Sequence, residues 1–178
     1  MEGKDKGNIV GNILGNNRKA QMAFYDDYAK MLYATCFRIL GNREEAEEAM
    51  QDSFLKIFES IGTQYVENGT LEAWMRRIAS HTAIDYLRRS KPEWDFLSED
   101  LPDEPEADVD ETFLDRSVDE IKAAMNRLAE GYRVVLSLYL FEGYDMEEIA
   151  SILKIRPASV RSQYLRAKRK LLEIISNK

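Results

Sequence analysis

The sequence predicts an all-α fold: two small helical domains joined by an acidic flexible linker, the second containing a helix-turn-helix. Three observations lead there. Apolar residues recur at spacings of three and four along nearly the whole chain. Nine glycines and four prolines in 178 residues are too few for a β-rich fold with many turns. Acids and prolines instead crowd into one stretch near residue 100, which separates two helical halves.

Residues 1–17 are rich in Gly and Asn and read as a flexible tail, although Ile9, Val10, Ile13 and Leu14 suit a short docking turn. The first helix spans residues 18–40, with Phe24, Tyr28, Met31, Leu32, Thr35 and Ile39 on its apolar face. Gly41-Asn42 ends it. The second helix spans 43–61 and turns Ala46, Met50, Phe54, Ile57 and Ile61 to the core. Its opposite face carries Glu48, Gln51 and Asp52 around Leu55. An isolated exposed leucine is ordinary surface; ringed by acids, it also suits the apolar centre of a contact with a basic partner.

Residues 62–70 form a loop with Tyr65 at its middle. It is a plain connector, or else a pocket loop that holds a base against an aromatic ring. The third helix, 71–90, aligns Trp74, Ile78, His81 and Asp85 on one side. A buried Asp85 needs a partner, and His81 stands one turn away. Arg76, Arg77, Arg88 and Arg89 project elsewhere. Arginines beside an aromatic loop suit single-stranded nucleic acid, whose phosphates follow cationic grooves and whose bases stack on rings.

Residues 92–112 form the linker. It is too acidic to fold alone, though Trp94, Phe96 and Leu97 are more than a linker needs. Two helices follow, at 118–128 and 132–141. Asp145 and Glu148 form a capping box for the next. Pro157 cannot continue a helix but favours the first position of a new one. Residues 145–170 therefore read as helix, short turn, helix. The last helix turns Val160, Tyr164, Ala167 and Leu171 one way; Ser162, Leu165, Arg166 and Arg169 face the other, flanked by Ser159 and Arg161. No acid occurs from Arg156 to Lys170. A helix fits the DNA major groove, where Arg, Gln and Ser read bases or grip phosphates.

The totals bound the function. A net charge of −7 excludes a histone-like coat for nucleic acid, and one basic helix on an acidic protein implies DNA binding that needs help. The single cysteine, Cys36, forms no internal disulfide and sits in an apolar helical pattern, as a small core residue. No apolar run approaches a membrane span and no signal peptide opens the chain, so a cytoplasmic location is expected. A lone His81 beside Asp85 makes neither a metal site nor a catalytic constellation. The expectation is a non-enzyme with no cofactor and no metal.

With these pieces in place, the sequence resembles the extracytoplasmic-function group of RNA polymerase sigma factors. The stretches REEAEEAMQDSFLKIF and AWMRRIASHTAIDYLRR carry the resemblance in the first half. LAEGYRVVLSLYLFEGYDMEEIASIL and ASVRSQYLRAKRKL carry it in the second, in the family's order. It implies a region 2-like domain at 18–91, the linker at 92–112 and a region 4-like domain at 113–178. It implies that Glu48, Gln51, Asp52 and Leu55 meet core RNA polymerase. It also implies that Gln64, Tyr65, Asn68, Arg76, Arg77, His81, Arg88 and Arg89 take the minus-ten element of promoter DNA. Ser159, Arg161, Ser162, Gln163, Arg166 and Arg169 would meet the minus-thirty-five element. An anti-sigma factor is a further implied partner. The competing reading is a stand-alone helix-turn-helix regulator whose first domain senses a ligand or dimerises. A nucleic-acid-processing enzyme is a distant third.

Overall fold

The computed structural model describes residues 10, 11, 13, 15, 17–65, 70–90 and 117–177; the linker at 92–112, with Trp94, Phe96 and Leu97, lies outside them. Every regular element among the described residues is helical. They divide into two compact units with a boundary between Tyr86 and Leu87; residues 38–41 group with the second.

The first unit is built on α1 (Arg18–Leu40), α2 (Arg43–Ser60) and α3 (Leu71–Ser90). Ahead of α1, residues 10, 11 and 13 are also helical, and Ile13 is buried. Gly41 follows α1 with φ +68, the left-handed conformation glycine adopts freely at a helix end. Asn42 then caps α2, its Oδ1 accepting from the N–H groups of Glu44 at 2.9 Å and Glu45 at 3.1 Å. α1 and α2 meet through rings: Phe24 lies 6.3 Å from Phe54 and 5.8 Å from Phe58, and Tyr25 lies 4.6 Å from Phe54. All five apolar positions expected on α2 are buried. On α1, Phe24, Leu32, Thr35 and Ile39 are buried, while Tyr28 and Met31 are half-buried.

α3 does not bury the side that carries Trp74, Ile78, His81 and Asp85. Its buried residues are Leu71, Met75, Ala79, Ser80, Thr82, Ala83, Ile84 and Leu87, and the small alanines let the helix approach its neighbours closely. The Cys36 thiol reaches the Ala79 carbonyl at 3.9 Å, which ties α1 to this alanine side. Trp74 and Ile78 are half-buried, His81 is exposed and Asp85 is half-buried rather than buried. That side of α3 looks outward.

The second unit comprises α4 (Val118–Met125), α5 (Glu130–Leu136) with a π-helical turn Ser137–Phe141, α6 (Met146–Leu153) and α7 (Pro157–Ser176). The helix expected at 118–128 is thus shorter, while the one expected at 132–141 starts at Glu130, runs to Phe141 and widens in its last turn. In the π turn Glu142 N–H donates to the Ser137 carbonyl at 3.2 Å, five residues back. α7 is the centre of the unit and packs against α4, α5 and α6. Ala124, Met125, Leu128, Leu136, Ala167, Leu171 and Ile175 form one buried cluster. Ser117 caps α4 and Asp145 caps α6, both as capping boxes, with Glu120 and Glu148 reaching back.

Lys154 closes α6 with φ 58 and ψ 41, and donates its N–H to the Ala150 carbonyl. A non-glycine residue there costs roughly 1–2 kcal/mol. Glycine removes the clash but loses more chain entropy on folding, so Lys154→Gly is expected to gain only about 0.5–1 kcal/mol. That corresponds to a melting point higher by about 1–4 °C for a chain of this size. Lys154→Val is expected to lower it. Scanning calorimetry of the three proteins checks the order.

Candidate nucleic-acid interface

The outward side of α3 faces a groove of about 670 Å³ in the first unit. Trp74, Arg77, Ile78, His81 and Thr82 supply one wall from successive turns of α3. Lys56, Glu59 and Ser60 supply the other from the end of α2, and Gln64 closes it from the loop. Lys56 Nζ donates to the Thr82 hydroxyl oxygen at 3.0 Å across the base, and that hydroxyl donates to the Ile78 carbonyl at 2.8 Å. The Lys56 to Thr82 hydrogen bond therefore joins the two walls.

The loop is held at both described ends. The N–H groups of Thr63 and Gln64 donate to the Ser60 carbonyl at 3.0 Å and 2.8 Å. Thr70 Oγ1 accepts from the Ala73 N–H at 3.1 Å and so caps α3. Tyr65 is half-buried with its ring 5.5 Å from that of Trp74. Burial first, then the nearby charges of Glu72 and Asp27 and the phenol of Tyr65, raise the Tyr28 phenol above its ordinary value. Tyr65 contacts Trp74 without joining the lining, and Trp74 supplies the aromatic face of the groove.

Among the residues expected at a single strand, Gln64, Arg77 and His81 line the groove, and Tyr65 contacts its Trp74. Arg76 is half-buried and not part of the lining. Arg88 and Arg89 lie past the boundary at Tyr86 and do not line it either. Asn68 lies outside the described residues. Sequence reasoning missed Lys56, Glu59 and Ser60 because they belong to a different helix. It listed Trp74 and Ile78 as neighbours of His81 without giving them a wall; their shared helical spacing was the signal.

The far face of α2 presents Glu48, Gln51 and Leu55 to solvent, Leu55 at 61% exposure. Asp52 is half-buried, and the Tyr86 hydroxyl donates to its Oδ2 at 2.8 Å. Asp52 therefore joins α2 to α3 as well as standing on this face.

On α7, Arg161 and Arg169 are exposed and Arg166 is half-buried. Ser159, Ser162 and Gln163 are buried, at 9%, 5% and 3% exposure. Gln163 stands about 60° from Val160 on the helix, at the edge of the buried stripe. Ser162 is about 160° from Val160 and buried as well. Leu165, expected on the exposed face, is half-buried. The Tyr164 ring lies 4.7 Å from that of Tyr139, tilted by 56°; burial first, and Tyr139 second, push its phenol up. Lys170 is tied to Glu173 at 2.8 Å.

Comparison with known proteins bears on both units. A family model described as Sigma-70 region 2 matches residues 24–93, and one described as Sigma-70, region 4 matches residues 119–171. The chain is 31% identical over 140 residues to the ECF RNA polymerase sigma-E factor of Haemophilus influenzae, which covers 71% of this chain and 70% of that protein. It is 28% identical over 166 residues to the ECF RNA polymerase sigma factor SigE of Mycolicibacterium smegmatis, covering 89% of this chain. The chain spans 64% of the length of that SigE and 61% of the RNA polymerase sigma factor SigZ of Bacillus subtilis. Among solved structures, the sigma factor RpoE in complex with the anti-sigma factor NepR from Bartonella quintana shares the fold, with a TM-score of 0.53 and 20% identity. That match covers 86% of this chain and 97% of the other.

A Sigma-70 region 2 followed by a Sigma-70 region 4 defines a sigma-type transcription factor. Within that class, the chain belongs to the ECF RNA polymerase sigma factors.

Proposed function

We propose that this protein is a transcription initiation factor that binds core RNA polymerase, directs it to particular promoters and assists their melting. The observation that carries this reading is the coexistence in the first unit of two unlike surfaces. One is the cationic and aromatic groove of Trp74, Arg77 and His81. The other is the acidic face around exposed Leu55. A stand-alone regulator needs the helix-turn-helix but neither of these.

Residues 18–91 act as the region 2 domain and 113–178 as the region 4 domain, tethered by 92–112. Glu48, Gln51, Asp52 and Leu55 meet the polymerase. Gln64, Arg77 and His81, with Trp74, hold the opened strand at the minus-ten element, and Asn68, Arg76, Arg88 and Arg89 extend that contact. On α7, Arg161, Arg166 and Arg169 grip phosphates at the minus-thirty-five element. Ser159, Ser162 and Gln163 stand beside them on the helix and belong to the same contact. The protein works where the polymerase does, in the cytoplasm, and an anti-sigma factor is its regulatory partner. No described helix is long and apolar enough to cross a membrane. As a family, sigma factors regulate transcription without catalysing a reaction of their own.

Energetics favour this division. Parting a duplex costs about 1.4 kcal/mol per base-pair step in stacking. A protein with net charge −7 has few cations to offset that cost alone. Stacked bases and the polymerase's own surfaces must share it. Gel filtration with purified core polymerase tests the reading: comigration is expected, and persistent separation at micromolar concentration contradicts it.

A further inference from the structure

The groove contains the chain's sole histidine, and nothing in the strand-holding reading requires that residue to titrate. His81 is exposed on the outward side of α3, four residues after Arg77 and seven after Trp74. All three line the same groove. We propose that His81 is a titratable phosphate contact, so that this groove holds single-stranded DNA more tightly at mildly acidic pH.

The proposal rests on the reading of the groove as the site that holds the opened strand. Imidazole is the side chain that ordinarily changes charge between pH 5 and 8. The other charged groups lining the groove are Lys56 and Glu59 on α2 and Arg77 on α3; Asp85 follows His81 by one helical turn, and the Tyr65 ring contacts Trp74. Lysine, arginine and carboxylate side chains ordinarily keep their charge throughout that interval, and phenols stay neutral. Two cations and one anion line the groove beside His81, so one added proton makes its lining more positive. The position suits a phosphate more than a base edge. Trp74 and Ile78 offer the apolar surface for a base, and His81 is one helical turn further along the same wall.

The direction follows directly. Below the imidazole's titration the groove carries an extra positive charge and gains one phosphate contact; above it, that contact is lost. For single strands each such contact adds about 0.7 to the slope of log affinity against log salt. At about 50 mM salt, against a 1 M reference, this is a roughly fivefold to tenfold difference in affinity.

The test uses the full chain and a fluorescent 20-nucleotide single strand of mixed sequence, titrated by anisotropy at pH 6.0 and 8.0 across a range of salt. The wild type is expected to bind about fivefold more tightly at pH 6.0 in low salt, with a slope steeper by about 0.7. His81→Gln is expected to bind at both pH values as the wild type does at pH 8.0. His81→Lys is expected to bind at both as the wild type does at pH 6.0. His81 is exposed, so these variants leave the core intact. Equal pH dependence in wild type and His81→Gln overturns the proposal, as does no measurable binding at pH 6.0. Arg77→Gln separates the two layers. If it weakens binding at both pH values while His81→Gln changes nothing, the groove holds the strand and His81 is not its switch. If Arg77→Gln also binds as wild type, the groove itself is misassigned.

Discussion

Leu55→Asp is expected to abolish binding to core RNA polymerase while leaving the protein folded. Leu55 is 61% exposed, so its replacement removes no core packing. At an interface the same side chain is the apolar centre of a ring formed by Glu48, Gln51 and Asp52. Buried apolar anchors of this type contribute about 2 kcal/mol or more, and a carboxylate in their place must also be desolvated. The affinity is therefore expected to fall by at least about thirtyfold. Leu55→Ala is expected to lose less. Glu48→Lys is expected to act through charge, slowing association and weakening its salt dependence. Asp52 is a poorer probe, because the Tyr86 hydroxyl bonds to it and its loss also loosens α2 from α3. Labelled protein titrated with core polymerase, beside a circular dichroism melt, reads both effects. Wild-type affinity in Leu55→Asp excludes this face as the contact.

The second large effect is expected at Trp74. Base stacking on an aromatic side chain contributes about 1–3 kcal/mol. Trp74→Ala in the holoenzyme is therefore expected to reduce promoter opening by roughly 5–150-fold, with duplex recruitment little changed. Trp74→Phe keeps a ring and is expected to retain most of the activity. Tyr65 contacts Trp74 but does not line the groove, so Tyr65→Leu is expected to cost less than Trp74→Ala. Permanganate reactivity of unpaired thymines measures opening separately from recruitment. A larger loss at Tyr65 than at Trp74 reverses the roles assigned to the two rings.

Helices whose cores are made of large apolar residues were legible from spacing alone. α2 shows this best: Ala46, Met50, Phe54, Ile57 and Ile61 are expected and found inside. Chain punctuation was equally clear at Gly41-Asn42, at the Asp145 and Glu148 box and at Pro157. α3 was misread because its inner side uses Ala79 and Ala83, while its larger Trp74 and Ile78 face the groove. Size marks a core residue only where there is room for it. The groove was half legible for a different reason. Gln64, Arg77 and His81 lie within eighteen residues, but Lys56, Glu59 and Ser60 reach it through tertiary packing that no local pattern encodes. The widening of α5 into a π turn left no mark in the apolar spacing. Ser162 follows the same limit, since a helical wheel gives direction and not burial.

Run-off transcription on genomic fragments, with core polymerase and this protein as the sole added factor, tests the central claim most directly. Discrete transcripts that need the protein, and vanish with Leu55→Asp, are the expected result. The same background with and without it, on fragments drawn from the whole genome, contradicts the account.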